Sequence, residues 1–161
     1  MYKKLFILID VKKTRDIDSD LNRRCGDYCQ SDCFDFLNVT AHRSYVPNTD
    51  MEALLREQKL PLCSLEAGMP LARYDVLGIT LPYELCFTNI LTVLDLAGLP
   101  LRARDRDEGY PLVLGGGSCA FNPEPMADFF DAILVGNAKE TVVRIAEVLQ
   151  TAKTEKTDQD G

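Results

Sequence analysis

Apolar positions along the chain gather into short runs, separated by charged stretches or by glycine and proline. Leu5 to Ile9 is a β-leaning run closed by Asp10, the pattern of a strand buried on both faces. Pro111 to Leu114 repeats that pattern, and Val39 to Val46 (closed by Pro47), Tyr74 to Leu81 and Ala132 to Val135 also read as strands. Helices are predicted between them. Leu21 to Leu37 follows Ser19 or Asp20 as N-cap, and Met51 to Gln58 follows Thr49-Asp-Met-Glu52, which has the spacing of a capping box. Glu84 to Ala97 draws its apolar face from Leu85, Ile90, Leu91, Leu94 and Leu96, with Gly98 placed to end it and Pro100 just beyond. A short helix over residues 126–130 follows the Asn122-Pro-Glu-Pro125 turn, and a last one runs from Lys139 to Gln150. Residues 11–20 and Arg102 to Glu108 are densely charged and read as loops. After Ala152 no apolar residue occurs, so residues 151–161 are expected to form a disordered tail.

Strands alternating with helices predict an α/β domain over residues 1–150: three-layer, Rossmann-like, with a mainly parallel five-stranded sheet. Such sheets bind ligands at the carboxyl ends of their strands. Those ends are Asp10 onward, Thr80 to Glu84, Gly115 to Ala120 and Gly136 to Glu140. The candidate ligand contacts there are Thr80, Tyr83, Gly115, Gly116, Gly117, Ser118 and Gly136. Glycines at a strand end let backbone amides approach a ligand, and Ser118 adds a hydroxyl. A tight turn that merely carries the chain across the sheet edge reads equally well. Tyr83 likewise suits a pocket wall or a cover for the edge.

Composition narrows the field. Of 161 residues, 46% are apolar and 27% charged, as in folded soluble domains. Lys and Arg number 18 against 25 Asp and Glu, a net charge of −7 that repels phosphate backbones and anionic lipid, so neither nucleic acid nor membrane is expected as partner. The apolar run near the N-terminus is too short for a signal peptide and no small-residue cleavage site follows, which leaves the cytoplasm as the default location. Cys25, Cys29 and Cys33 lie four apart and would share one helix face. Three thiolates on adjacent turns suit zinc or an iron–sulfur cluster, but the spacing matches no standard ligand set and cysteine also serves as a small buried hydrophobe. His42 is the sole histidine, and no catalytic constellation surrounds it or Ser118.

From Asn48 to Val143 the chain resembles the N-terminal domain of a bacterial family of B12-binding-domain radical SAM proteins. The resemblance rests on Thr49 to Glu57, Pro61 to Gly68, Tyr83 through Pro100 and, above all, Pro111 to Asp131 with its glycine run and Asn-Pro-Glu-Pro turn. Residues 1–45 match poorly. The resemblance implies a cobalamin-binding-like domain in which the glycine run admits the nucleotide tail of a corrinoid beside the sheet. Three departures accompany it. Cys25, Cys29 and Cys33 do not reproduce the C-x3-C-x2-C cluster motif, and the chain has no room for a catalytic barrel. Lys12 stands where a cobalt-ligating histidine of D-x-H-x-x-G would be, so histidine ligation is not expected. Gly136-Asn-Ala-Lys-Glu140 replaces a Gly-Glu-Gly-Glu turn. The expectation is a stand-alone or truncated relative, non-catalytic by itself, that binds a corrinoid or similar ligand at the strand ends. The alternative is an interaction or degenerate domain without ligand that docks on a separate radical SAM subunit.

Overall fold

The computed structural model describes residues 41–136, 141, 144–149 and 151, together with the backbone of residues 4–13, 39 and 40. The helix expected over Leu21 to Leu37, the cysteine triplet and the C-terminal tail lie outside the described residues.

Among the described residues, five strands form one sheet: β1 (Lys4–Lys13), β2 (Val39–Val46), β3 (Val76–Thr80), β4 (Leu112–Gly116) and β5 (Ala132–Leu134). Their order is β2-β1-β3-β4-β5 and every pairing is parallel. The mixed α/β class with a parallel sheet agrees with the sequence reading. β1 extends past Ile9 to Lys13, with a register irregularity between Asp10 and Lys13 opposite Tyr45 and Val46. β4 differs more instructively. It continues through Gly115 and Gly116, which pair with Ile79 and Thr80 on one side and with Ile133 and Leu134 on the other. Glycine weakens a strand on its own, but here ladders on both sides hold it extended.

Side chains of β3 and β4 alternate between two apolar clusters, as the period of two requires. Leu77, Ile79 and Val113 join the larger cluster, with Ile90, Val93 and Leu94 of α2 (Phe87–Leu96) and with Leu62, Leu71 and Tyr74. Val76 and Leu114 face the other way and pack with Ala146 from the helical residues 144–149. On α2, Ile90, Val93 and Leu94 make a stripe at i, i+3, i+4, all fully buried. Gly98 ends that helix as expected: at φ 72° it lets Leu99 N–H donate to Leu94 O at 3.0 Å and Gly98 N–H to Asp95 O at 2.9 Å, a Schellman arrangement.

Two helix starts depart from the reading. α1 (Thr49–Gln58) begins at Thr49, with Asn48 as its N-cap, and no side chain caps it. The Glu52 carboxylate instead pairs with Arg56 one turn on, so the capping box does not form. Before α2, Glu84–Cys86 forms a 3-10 turn. Its tighter pitch turns Cys86 into the core and leaves Leu85, expected on the apolar face, in solvent. Residues 126–130 lie largely within another 3-10 segment, Glu124–Phe129.

β2 is an edge strand, and residues 63–66 run along its outer side. Leu65 N–H donates to Arg43 O at 2.8 Å, and Arg43 N–H donates to Glu66 Oε2 at 2.7 Å. The Ser44 hydroxyl donates to Cys63 O at 3.1 Å, and the Arg43 guanidinium meets Glu66 Oε1 at 2.6 Å.

Candidate functional site

The strand order reverses between β1 and β3, so the crevice rule for open parallel sheets points to Asp10–Lys13 against Thr80–Tyr83. The glycine run is one strand further along. Thr80 ends β3 opposite Gly116, and only Gly117 lies beyond β4 as a turn residue. Gly117 adopts φ 112° and ψ −166°, a conformation open to glycine alone. Ser118 follows, exposed, at the start of a 3-10 turn, Ser118–Phe121. Gly136, also at positive φ (105°), sits past β5 with no heavy atom within 4 Å of where a Cβ would stand. Tyr83 is extended and exposed beyond β3. All seven candidate residues therefore lie at or beside one sheet edge, in β3, β4 and the connections leaving β3, β4 and β5.

What surrounds the glycines is the chain itself. A Cβ on Gly115 would stand 3.1 Å from two ring carbons of Phe130 and 3.2 Å from Leu81 Cδ1. One on Gly117 would stand 3.0 Å from Leu81 O and 3.3 Å from the Thr80 methyl. Gly116 is looser, its nearest neighbour Leu134 O at 3.8 Å. Leu81 is held on both backbone groups: its N–H donates to Gly116 O at 2.6 Å, and its carbonyl accepts from Cys119 N–H at 2.9 Å.

On the connections beyond the glycines several large apolar side chains are exposed, among exposed polar ones such as Glu84, Ser118 and Asn122. Leu85 is 85% exposed, Phe121 75%, Val135 60% and Tyr83 42%, and they belong to the connections leaving three neighbouring strands. Of these, sequence reasoning singled out Tyr83 and missed the exposure of the other three. Leu85 had a signal, since it falls out of phase with the stripe of Ile90, Val93 and Leu94; Phe121 and Val135 had none. Half-buried Cys119 lies at the same edge, where burial and the nearby Glu84 carboxylate push its thiol up from the ordinary range. Such a thiol is protonated and unreactive near neutral pH.

The remaining chemistry is structural. His42 Nδ1 lies 2.7 Å from the Tyr74 hydroxyl, which donates to Ser64 Oγ at 2.7 Å. This network ties the Ser64–Met69 turn to β2, and burial pushes the Tyr74 phenol up. Among the described residues no group of three or more His, Cys, Asp and Glu side chains is placed to hold a metal ion, and no helix is long and apolar enough to cross a membrane.

The fold is a Rossmann-like α/β module with large apolar side chains exposed on the connections leaving three of its strands. Residues 35–161 match the family of radical SAM proteins, N-terminal. That match covers most of the chain, and the chain belongs to this family. It takes in β2 and the C-terminal helical residues, beyond the Asn48 to Val143 stretch that carries the resemblance in sequence. Comparison with curated proteins returns no match.

Proposed function

We propose that the chain is a non-catalytic N-terminal module that docks, by the carboxyl edge of its sheet, onto a radical SAM catalytic domain. The observation that carries this reading is the exposure of Leu85 and Phe121, continued by Val135 and Tyr83, on three adjacent strand ends. Large apolar side chains grouped on one face mark an interaction surface, whereas scattered ones need no explanation. Family membership supplies the partner, since the match is to the N-terminal part of radical SAM proteins. A three-layer arrangement, as expected from sequence, would suit the role, with helices over the sheet faces and the strand ends left for contact.

The test is reconstitution with the radical SAM domain encoded in the same or the adjoining reading frame. Co-elution on size exclusion is expected, and the double variant Leu85→Asp, Phe121→Asp should abolish it. Both side chains are exposed, so the variant should keep the stability of the parent chain within about 0.5 kcal/mol. Co-elution that survives the double variant would sink the proposal.

A further inference from the structure

The resemblance implies a corrinoid whose nucleotide tail enters beside the glycine run, and the geometry there disagrees. We infer that Gly115 and Gly117 are a seat for the chain's own β3 end and for Phe130, so that no corrinoid tail enters between β3 and β4. Three observations converge on it. Gly115 lies inside a strand laddered on both sides, and the space a side chain would need is taken by the Phe130 ring and Leu81 Cδ1. Gly117 abuts Leu81 backbone atoms and the Thr80 methyl, which the strand pairing holds in place. Leu81, Ala120 and Phe130 are buried and belong to the main core cluster, so opening a trough beside them would dismantle packing that the domain needs to fold. The glycines are small because protein, not ligand, comes close.

This reading orders the three glycines by what a methyl group would meet. Gly117→Ala forces a left-handed backbone and a contact with a carbonyl that cannot turn away, and Gly115→Ala presses on an aromatic ring. Gly116→Ala meets only ordinary van der Waals distance. The expected result is a fall of several degrees in melting temperature for the first two variants and little change for the third. Gly115 discriminates, since Gly117→Ala is strained by its backbone in either case: a ligand cradle predicts that Gly115→Ala is tolerated like Gly116→Ala in the ligand-free protein.

Titration of the parent chain with hydroxocobalamin to high micromolar concentration gives the second readout. No saturable absorbance change and no rise in melting temperature are expected. Saturable binding, or a Gly115→Ala variant as stable as Gly116→Ala, would overturn the inference. Neither readout depends on docking to a catalytic domain, so failure of co-elution leaves this result standing, and the converse holds as well.

Discussion

Arg106 shows how far a single side chain departs from its surroundings in sequence. It sits in a densely charged stretch that reads as a solvated loop, yet its side chain is only 2% exposed. One terminal nitrogen donates to Pro100 O at 2.9 Å and Leu101 O at 3.1 Å; the other donates to Phe129 O at 3.0 Å and Asp131 Oδ2 at 3.2 Å. Asp131 also accepts from Val113 N–H at 2.7 Å, so one carboxylate joins the guanidinium to the start of β4. Nε alone is buried without a partner. The fixed fork of the guanidinium serves four acceptors from two separate segments, which neither a lysine nor a neutral chain reproduces. Arg106→Met should cost about 3 kcal/mol, because it strands three carbonyls and a carboxylate together. Urea denaturation of the variant measures it, and a loss within the scatter of surface substitutions would contradict this account. No local pattern announces such a residue, since two of its four acceptors, Phe129 O and Asp131 Oδ2, lie 23 and 25 residues away in sequence.

At the scale of elements, the inner strands were legible because a parallel sheet buries both faces and writes apolar runs such as Leu5 to Ile9. The edge strand β2 carries Thr40, His42, Arg43 and Ser44 and was legible from its β-formers and the closing Pro47. The inclusion of Gly115 and Gly116 in β4 was not, since strand propensity argues against glycine and only the neighbouring ladders overrule it. Helix ends were readable where glycine marks them, as at Gly98. At α1 the expected end at Gln58 is also the observed one, but the way it closes carries no glycine signal: the C-terminal turn closes through Lys59 in the left-handed region at φ 54°. There Leu60 N–H reaches Leu55 O at 2.9 Å, the same closure that Gly98 provides for α2. A side chain in that conformation costs about 1 kcal/mol that glycine avoids. Lys59→Gly should therefore raise the unfolding free energy by up to about 1 kcal/mol, read as a higher denaturant midpoint with unchanged slope. The candidate site was legible to a similar degree: the strand-end residues gather where the topology puts them. Which of them are packing and which face outward depends on Phe130, Leu81 and the 3-10 phase of Leu85, none of which a one-dimensional pattern contains.

On the scale of the whole molecule, the sheet's outer boundary has a consequence for behaviour in concentrated or acidic solution. An uncovered strand edge is a template on which another chain can add, and long open edges lead to aggregation. β5 is only three residues long, and the middle of β2 is occupied by residues 63–66. The β2 cover is pH-sensitive. Burial raises the Glu66 carboxyl, but the Arg43 N–H and guanidinium outweigh it and hold the group below the ordinary carboxylate range. A carboxylate with a depressed folded-state pKa stabilises above its unfolded value, near 4.3 for Glu, and loses that contribution as pH falls through the folded value. Glu66→Gln should thus be less stable than the parent at neutral pH, with the two converging in acid. It should also scatter light sooner on mild heating at pH 7, because one of the two groups covering Arg43 is weakened. If parent and variant differ equally at pH 7 and pH 2, the cover is not electrostatic. Under the docking proposed above, the domain would have to remain unassociated until it meets a partner, and a guarded sheet border would let it expose one sticky surface without exposing two.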